Sequence, residues 1–137
     1  MRKPIAASSV VALAFIAAAS SGADMRLRAG NYEITTTVGE GTAARKSTHC
    51  YTAAEASQIN DVRTLKESAE KAATDSHFTL KDYKLQGSTQ SYILVGAGGS
   101  TTTTITFGGD SFDTLLASAS DRTSDVHMKG RRIGECP

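Results

Sequence analysis

The chain has 137 residues, a formal net charge of +1, two cysteines, no tryptophan and 6% aromatic residues. A nearly neutral chain offers no basic field to hold nucleic acid, and so few aromatics leave a core built on Ile, Leu, Val and the methyls of Thr. The length suits one domain that hides about two-thirds of its unfolded surface, so a covalent brace matters more than usual.

The chain begins MRKPIAASSVVALAFIAAASSGAD. Arg2 and Lys3 precede a small-residue apolar run from Ile5 to Ala19, and Ser21-Gly22-Ala23 fits the small-x-small rule for signal peptidase. Residues 1–23 therefore read as a cleaved secretory signal peptide, and the run is too short to span a bilayer. Cleavage after Ala23 leaves about 114 residues, Asp24 to Pro137, with a formal charge of about −1. Neither cysteine lies near the cleavage site, so a lipoprotein is not expected. No later apolar stretch is long enough to cross a membrane. The expected location is the periplasm of a Gram-negative cell.

NYEITTTV alternates, with Tyr32, Ile34, Thr36 and Val38 on one face and Glu33, Thr35 and Thr37 on the other. This is a half-buried strand, and RKSTHCY is its returning partner after a turn at GEGTA. Thr52 and Glu55 then stand at capping-box spacing and open a helical segment. A second helix from about Asp61 to Thr74 places Val62, Leu65, Ala69 and Ala72 on one face. After Ser76 the period returns to two. Phe78 and Leu80 share a face, and Tyr83 and Leu85 fall out of phase with them, which predicts a bulge near Lys81-Asp82. TQSYILVGA, TTTTITF, SFDTLLASA and the closing RTSDVHMKG-RRIGEC follow as strands separated by glycine-rich turns. Turns every eight to twelve residues mark an antiparallel meander. The fold expected is mainly β (α+β): six to eight strands, strongly curved or a partial barrel, with a helical insertion after the second strand that covers one face or end of the sheet.

In an exported chain two cysteines are expected to pair, so Cys50 and Cys136 read as a disulfide. The loop it closes holds about 86 residues. Chain entropy assigns such a loop about 4–5 kcal/mol as an upper figure. His49, His77 and His127 are scattered without HxH, HExxH or CxxC spacing, so no metal site is expected. GAGGST lacks the lysine and the following helix of a phosphate loop and reads as a turn. Thr101 to Thr104 and Thr106 could form a hydroxyl array, though β-propensity on a partly solvated sheet accounts for them. Asp110 and Asp113 sit in and after a turn, where Asp is expected. Arg131 and Arg132 point to opposite faces of a strand, as solvated residues or as contacts to an anion or partner, with Ile133 packing inward.

Four stretches occur in order: LRAGNYEITTTV, THCYTAAEA, GGDSF and MKGRRIGEC. Together they resemble the exported bacterial family known as domain of unknown function 3617, whose members close on Gly-Arg-Arg-x-Gly-x-Cys. The resemblance spans the mature chain. Ala29-Gly30-Asn31-Tyr32 stands where the family usually opens with proline-glycine. Two further family cysteines are absent near His77-Phe78 and Ile93 to Val95. The resemblance implies an exported, disulfide-braced β domain and no catalytic residues.

The function expected is a small periplasmic, non-catalytic binding module, monomeric and without cofactor. Tyr32, Phe78, Tyr92, Phe107 and Phe112 would line a concavity for a small apolar ligand. The alternative is an envelope structural or partner module acting through an exposed strand edge. A third reading, an enzyme, needs the histidines to converge on a metal.

Overall fold

A computed structural model describes residues 25–39 and 43–137. The expected signal peptide, residues 1–23, lies outside the described residues. Strand β1 (Gly30–Val38) realises its alternation, since Tyr32 and Ile34 are buried and Glu33 and Thr35 are half-buried. It pairs antiparallel with β2 (Arg45–Tyr51), from Gly30 opposite Tyr51 to Thr36 opposite Arg45. Two helices follow, α1 (Ala53–Asn60) and α2 (Val62–Asp75). Then come β3 (Thr79–Gln86), β4 (Thr89–Gly96), β5 (Gly99–Phe107), β6 (Ser111–Ser118) and β7 (Val126–Gly134).

Every neighbouring pair is antiparallel, and the order across the sheet is β2-β1-β7-β6-β5-β4-β3. Strands β3 to β7 form the expected meander. The first hairpin does not precede that meander in space; β1 lies beside β7, so the first and last strands are neighbours. The sheet is open, with β2 and β3 at its edges. The helical insertion joins those two edges, so the connection must cross the sheet, and in crossing it covers one face.

The break between the helices is local. Asp61 has extended dihedrals, its N–H donates to Ser57 O at 3.1 Å, and its carboxylate accepts from Thr64 N at 3.0 Å. One residue thus ends α1 and caps α2. Thr52 caps α1 by accepting from Glu55 N at 3.2 Å. The far end of α2 stops at His77, which takes φ 63°. Phe78 N donates to Ala73 O at 2.8 Å and His77 N to Thr74 O at 3.1 Å, the paired bonds of a Schellman stop.

The buried side of α2 differs from the reading of its periodicity. Leu65 and Ala73 are buried, Ala69 is half-buried, and Val62 is 55% exposed. Contact with the sheet follows a ridge of four-residue steps, Leu65–Ala69–Ala73, so Ala72 and Val62 fall beside it.

The core comprises Leu27, Tyr32, Ile34, Leu65, Phe107 and Phe112, with Tyr51, Ile59, Leu85, Ile105 and Met128 packed against it. Tyr32 is at its centre, edge-on to Tyr51 with ring centroids 5.2 Å apart. Its hydroxyl lies 2.7 Å from Arg28 O and 3.1 Å from Gly109 O. Burial pushes the phenol pKa up, and Asp110 nearby adds to the shift. The segment before β1 is held by Asn60, which accepts from Leu27 N at 3.0 Å and donates to Leu27 O at 2.8 Å.

The expected bulge in β3 is present. Register shifts between Lys81 and Lys84, with Asp82 at φ 53°. The shift returns Leu85 to the helix-side face that Leu80 already occupies.

Candidate functional site: the open face of the sheet

Alternation divides the sheet into two faces. The six aromatics of the strands, Tyr32, Tyr51, Tyr83, Tyr92, Phe107 and Phe112, all point to the helix side. The other face carries Glu33, Thr35 and Thr37 from β1, His127, Lys129 and Arg131 from β7, Ser111 and Asp113 from β6, and Thr102, Thr104 and Thr106 from β5, with Leu115, Ala117, Ile93 and Val95 as an apolar stretch beside them. No helix covers it among the described residues.

A hollow of about 450 Å³ lies on this face. Thr35, Glu33, Lys129 and Arg131 form one side, and Thr106, Ser111 and Asp113 the other. Gly108, Gly130 and Phe112 complete its lining. Gly130 is required by close approach: a Cβ there would stand 2.1 Å from Phe112 Cε1. The hollow is electrostatically mixed. Lys46 Nζ and Arg131 Nη2 each lie 3.9 Å from Glu33 Oε1. His127 Nε2 lies 2.6 Å from Asp113 Oδ1. Lys129 stands opposite both Thr35 and Asp113 in register and has no ion pair among the described residues. A second hollow of about 390 Å³ lies toward β3, lined by Asp82, Lys84, Ser91 and Thr102 together with Tyr92 and Ile93.

The closing Gly-Arg-Arg-x-Gly-x-Cys resolves into separate tasks. Arg132 points to the inner face, with its side chain only 14% exposed; Nε donates to Ala29 O at 2.9 Å and Nη2 to Glu135 Oε1 at 2.8 Å. Gly30 makes room for it, since a Cβ there would lie 2.3 Å from Arg132 Nε and the residue has φ +151°. Ile133 does not pack inward as expected and is 48% exposed. Register jumps from Tyr32–Arg132 to Asn31–Gly134, so Ile133 is the extra residue of a bulge, and the inward place goes to Arg132. Cys136 is bonded to Cys50, their Cα atoms 5.4 Å apart. Arg131 lies at the rim of the hollow with its side chain 75% exposed.

The five aromatics named from the sequence are not gathered around one cavity. Tyr32, Phe107 and Phe112 are core residues, Tyr32 at 0% exposure. Tyr92 stacks on Tyr83 with centroids 6.1 Å apart, and burial raises its phenol pKa. Phe78 is 40% exposed, and its ring lies against Gly96. The histidines occupy separate elements: His49 lies 3.1 Å from Glu55, His77 stops α2, and His127 faces Asp113. Among the described residues no three His, Cys, Asp or Glu side chains stand close enough to hold a metal ion. No helix among them is long and apolar enough to cross a membrane.

The polar face has a signal in the sequence that motif reading passes over. His127, Lys129 and Arg131 recur every second residue, as do Glu33, Thr35 and Thr37. A strand reading of β7 therefore places three hydrogen-bonding side chains on one side.

No curated protein and no solved structure matches this chain. The pattern of one family, described as Protein of unknown function (DUF3617), matches residues 27–136, which takes in both cysteines, both helices and all seven strands. The chain belongs to that family.

Proposed function

We propose that this protein is an exported, periplasmic, non-catalytic binding module that acts as a monomer and holds a polar ligand in the open-face hollow. Residues 1–23 read as an export signal. A disulfide suits an oxidising compartment, which supports that location. The observation that carries the binding reading is Arg131. In a closing motif whose glycine, second arginine and cysteine serve packing and bracing, this arginine is left exposed beside Lys129 over a hollow lined by hydroxyls. Arginine in that setting suits a carboxylate or phosphate group. Mixed donors and acceptors around it suit the rest of a hydroxyl-bearing ligand.

The test is native mass spectrometry of the protein released from the periplasm. The wild-type protein should carry a ligand that Arg131→Ala loses while keeping its thermal unfolding temperature. An empty wild-type protein, or a variant that retains the ligand, overturns the proposal.

A partner docked on a strand edge is a second reading, favoured by a difference between the two edges. Edge strand β3 is blunted by its bulge and by Lys81, Asp82 and Lys84. Edge strand β2 is regular, and Arg45 to His49 are all exposed. Arg45 and Lys46 would favour an acidic extended segment. Thr48→Pro removes an N–H that faces the free edge, and loss of partner binding in that variant without loss of the hollow's ligand would select this reading.

A further inference from the structure

The hollow belongs to a longer polar strip. Lys46, Thr35, Lys129, Asp113, Thr106 and Thr89 stand directly opposite one another on six neighbouring strands, β2-β1-β7-β6-β5-β4. Directly opposed residues in an antiparallel sheet share a face, so all six project to the open side. At ordinary strand spacing the strip runs about 24 Å, perpendicular to the strands. Glu33, Arg131 and Ser111 form a second, shorter row beside it.

Three features define what such a strip recognises. First, it interleaves cations, hydroxyls and carboxylates. Glu33 and Asp113 accept hydrogen bonds from ligand hydroxyls and would repel a continuous phosphate backbone. Second, cations exceed carboxylates among the strand residues of this face, with Lys46, Lys81, Lys84, Lys129 and Arg131 against Glu33, Asp82 and Asp113. The chain as a whole is close to neutral, so the excess is local. Third, every aromatic of the strands points to the helix side. The strip therefore offers no stacking surface for nucleic-acid bases.

Building on the binding proposal above, we infer that the occupant is a linear acidic glycan, a chain of hydroxyl-bearing sugars with carboxylates at intervals, laid across the strands. Arg131 and Lys129 take a carboxylate at the hollow. Thr35, Thr106 and Thr89 meet sugar hydroxyls along the strip, and Lys46 holds the chain near the β2 edge. Of the β5 threonines this assigns a use to Thr106, while Thr101 and Thr103 face the helix side.

The experiment is affinity electrophoresis of the purified protein in gels containing polygalacturonate, neutral dextran or oligothymidylate, followed by calorimetric titration with galacturonate oligomers of increasing length. Polygalacturonate should retard the protein, and dextran and oligothymidylate should not. Affinity should rise with oligomer length until the strip is spanned. Lys129→Ala and Arg131→Glu, both at exposed positions, should each weaken polygalacturonate binding about tenfold or more. Lys46→Ala should weaken long oligomers and leave short ones unchanged. Equal binding of monomer and polymer overturns the strip and leaves the hollow standing. Failure to bind polygalacturonate, alongside a ligand recovered from the periplasm that depends on Arg131, overturns the glycan while the binding proposal survives. Retardation by oligothymidylate as strong as by polygalacturonate overturns the glycan in favour of a general polyanion.

Discussion

Two adjacent arginines illustrate how one backbone step separates folding from surface chemistry. Arg132 is turned inward, lies across Gly30 and bonds the Ala29 carbonyl. Arg131 is turned outward beside Glu33 at 3.9 Å. Removing Arg132 leaves a part-buried carbonyl without its partner and empties space against Gly30. Arg132→Ala should therefore cost about 1–3 kcal/mol. The long pair between Arg131 and Glu33 is solvated and contributes little, so Arg131→Ala should stay within about 0.5 kcal/mol of wild type. Urea unfolding of the two variants checks this, and equal losses would contradict the assignment of faces. Both arginines are legible in the sequence as residues of opposite faces. Alternation from His127 and Lys129 sets Arg131 outward and Arg132 inward; what stays hidden in the sequence is the bulge at Ile133, which makes that isoleucine a false guide to the inward side.

At the scale of elements, the helical insertion is defined by its ends. His77 stops α2 from the left-handed region, where a side chain with a Cβ is strained and glycine is not. His77→Gly should raise stability by about 1 kcal/mol, read as a higher urea midpoint with unchanged slope. A loss of stability would mean that the imidazole has a role beyond the helix stop. Asp61 caps α2, and its carboxyl pKa is lowered, first by the Thr64 hydroxyl and then by the Thr64 amide. A depressed folded-state pKa makes its contribution complete above the unfolded carboxylate pKa and lost as pH falls through the folded value. The urea midpoint of the wild-type protein should therefore decline across the acidic range. Asp61→Asn, which can still cap, should show a shallower decline. Thr52 is read as a cap from the sequence because a cap is a local bond, whereas Asp61 reads there only as the start of the second helix and is seen in the structure to cap it. The buried ridge Leu65–Ala69–Ala73 is not legible there, because it depends on how the helix lies against β3.

The whole molecule is closed by one pairing and one bond. The first and last strands meet side by side, β1 against β7, and the disulfide fastens what flanks them. Cys50 stands next to last in β2 on one side of β1, and Cys136 follows β7 on the other, so the bridge spans the start of β1. It closes a loop of 86 residues, and the chain-entropy argument gives about 4–5 kcal/mol as an upper figure. The double variant Cys50→Ala/Cys136→Ala should lose much of that, seen as a fall in the denaturation midpoint. Hydrogen exchange should locate the loss first in β2, the edge strand with only one neighbour. Uniform loss of protection across the sheet would show that the bridge stabilises the fold as a unit.

What the sequence determined by itself is whatever depends on neighbouring residues: the strand periods, the glycine turns, the helix cap at Thr52, the bulge at Lys81-Asp82, and the pairing of two cysteines that had only each other. Each of these is a local bond, a local steric limit or a count. The tertiary structure decided the rest. Strand order brought β1 to β7, the bulge at Ile133 left that residue exposed, and Tyr32, Phe107 and Phe112 went to the core, where the buried area they supply outweighs a place in a cavity. Those outcomes depend on which surfaces meet, and in an open sheet bridged edge to edge by helices only one face could be covered. Among the described residues the other face stays uncovered, and its hydroxyls and charges alternate along β1 and β7 in the sequence itself.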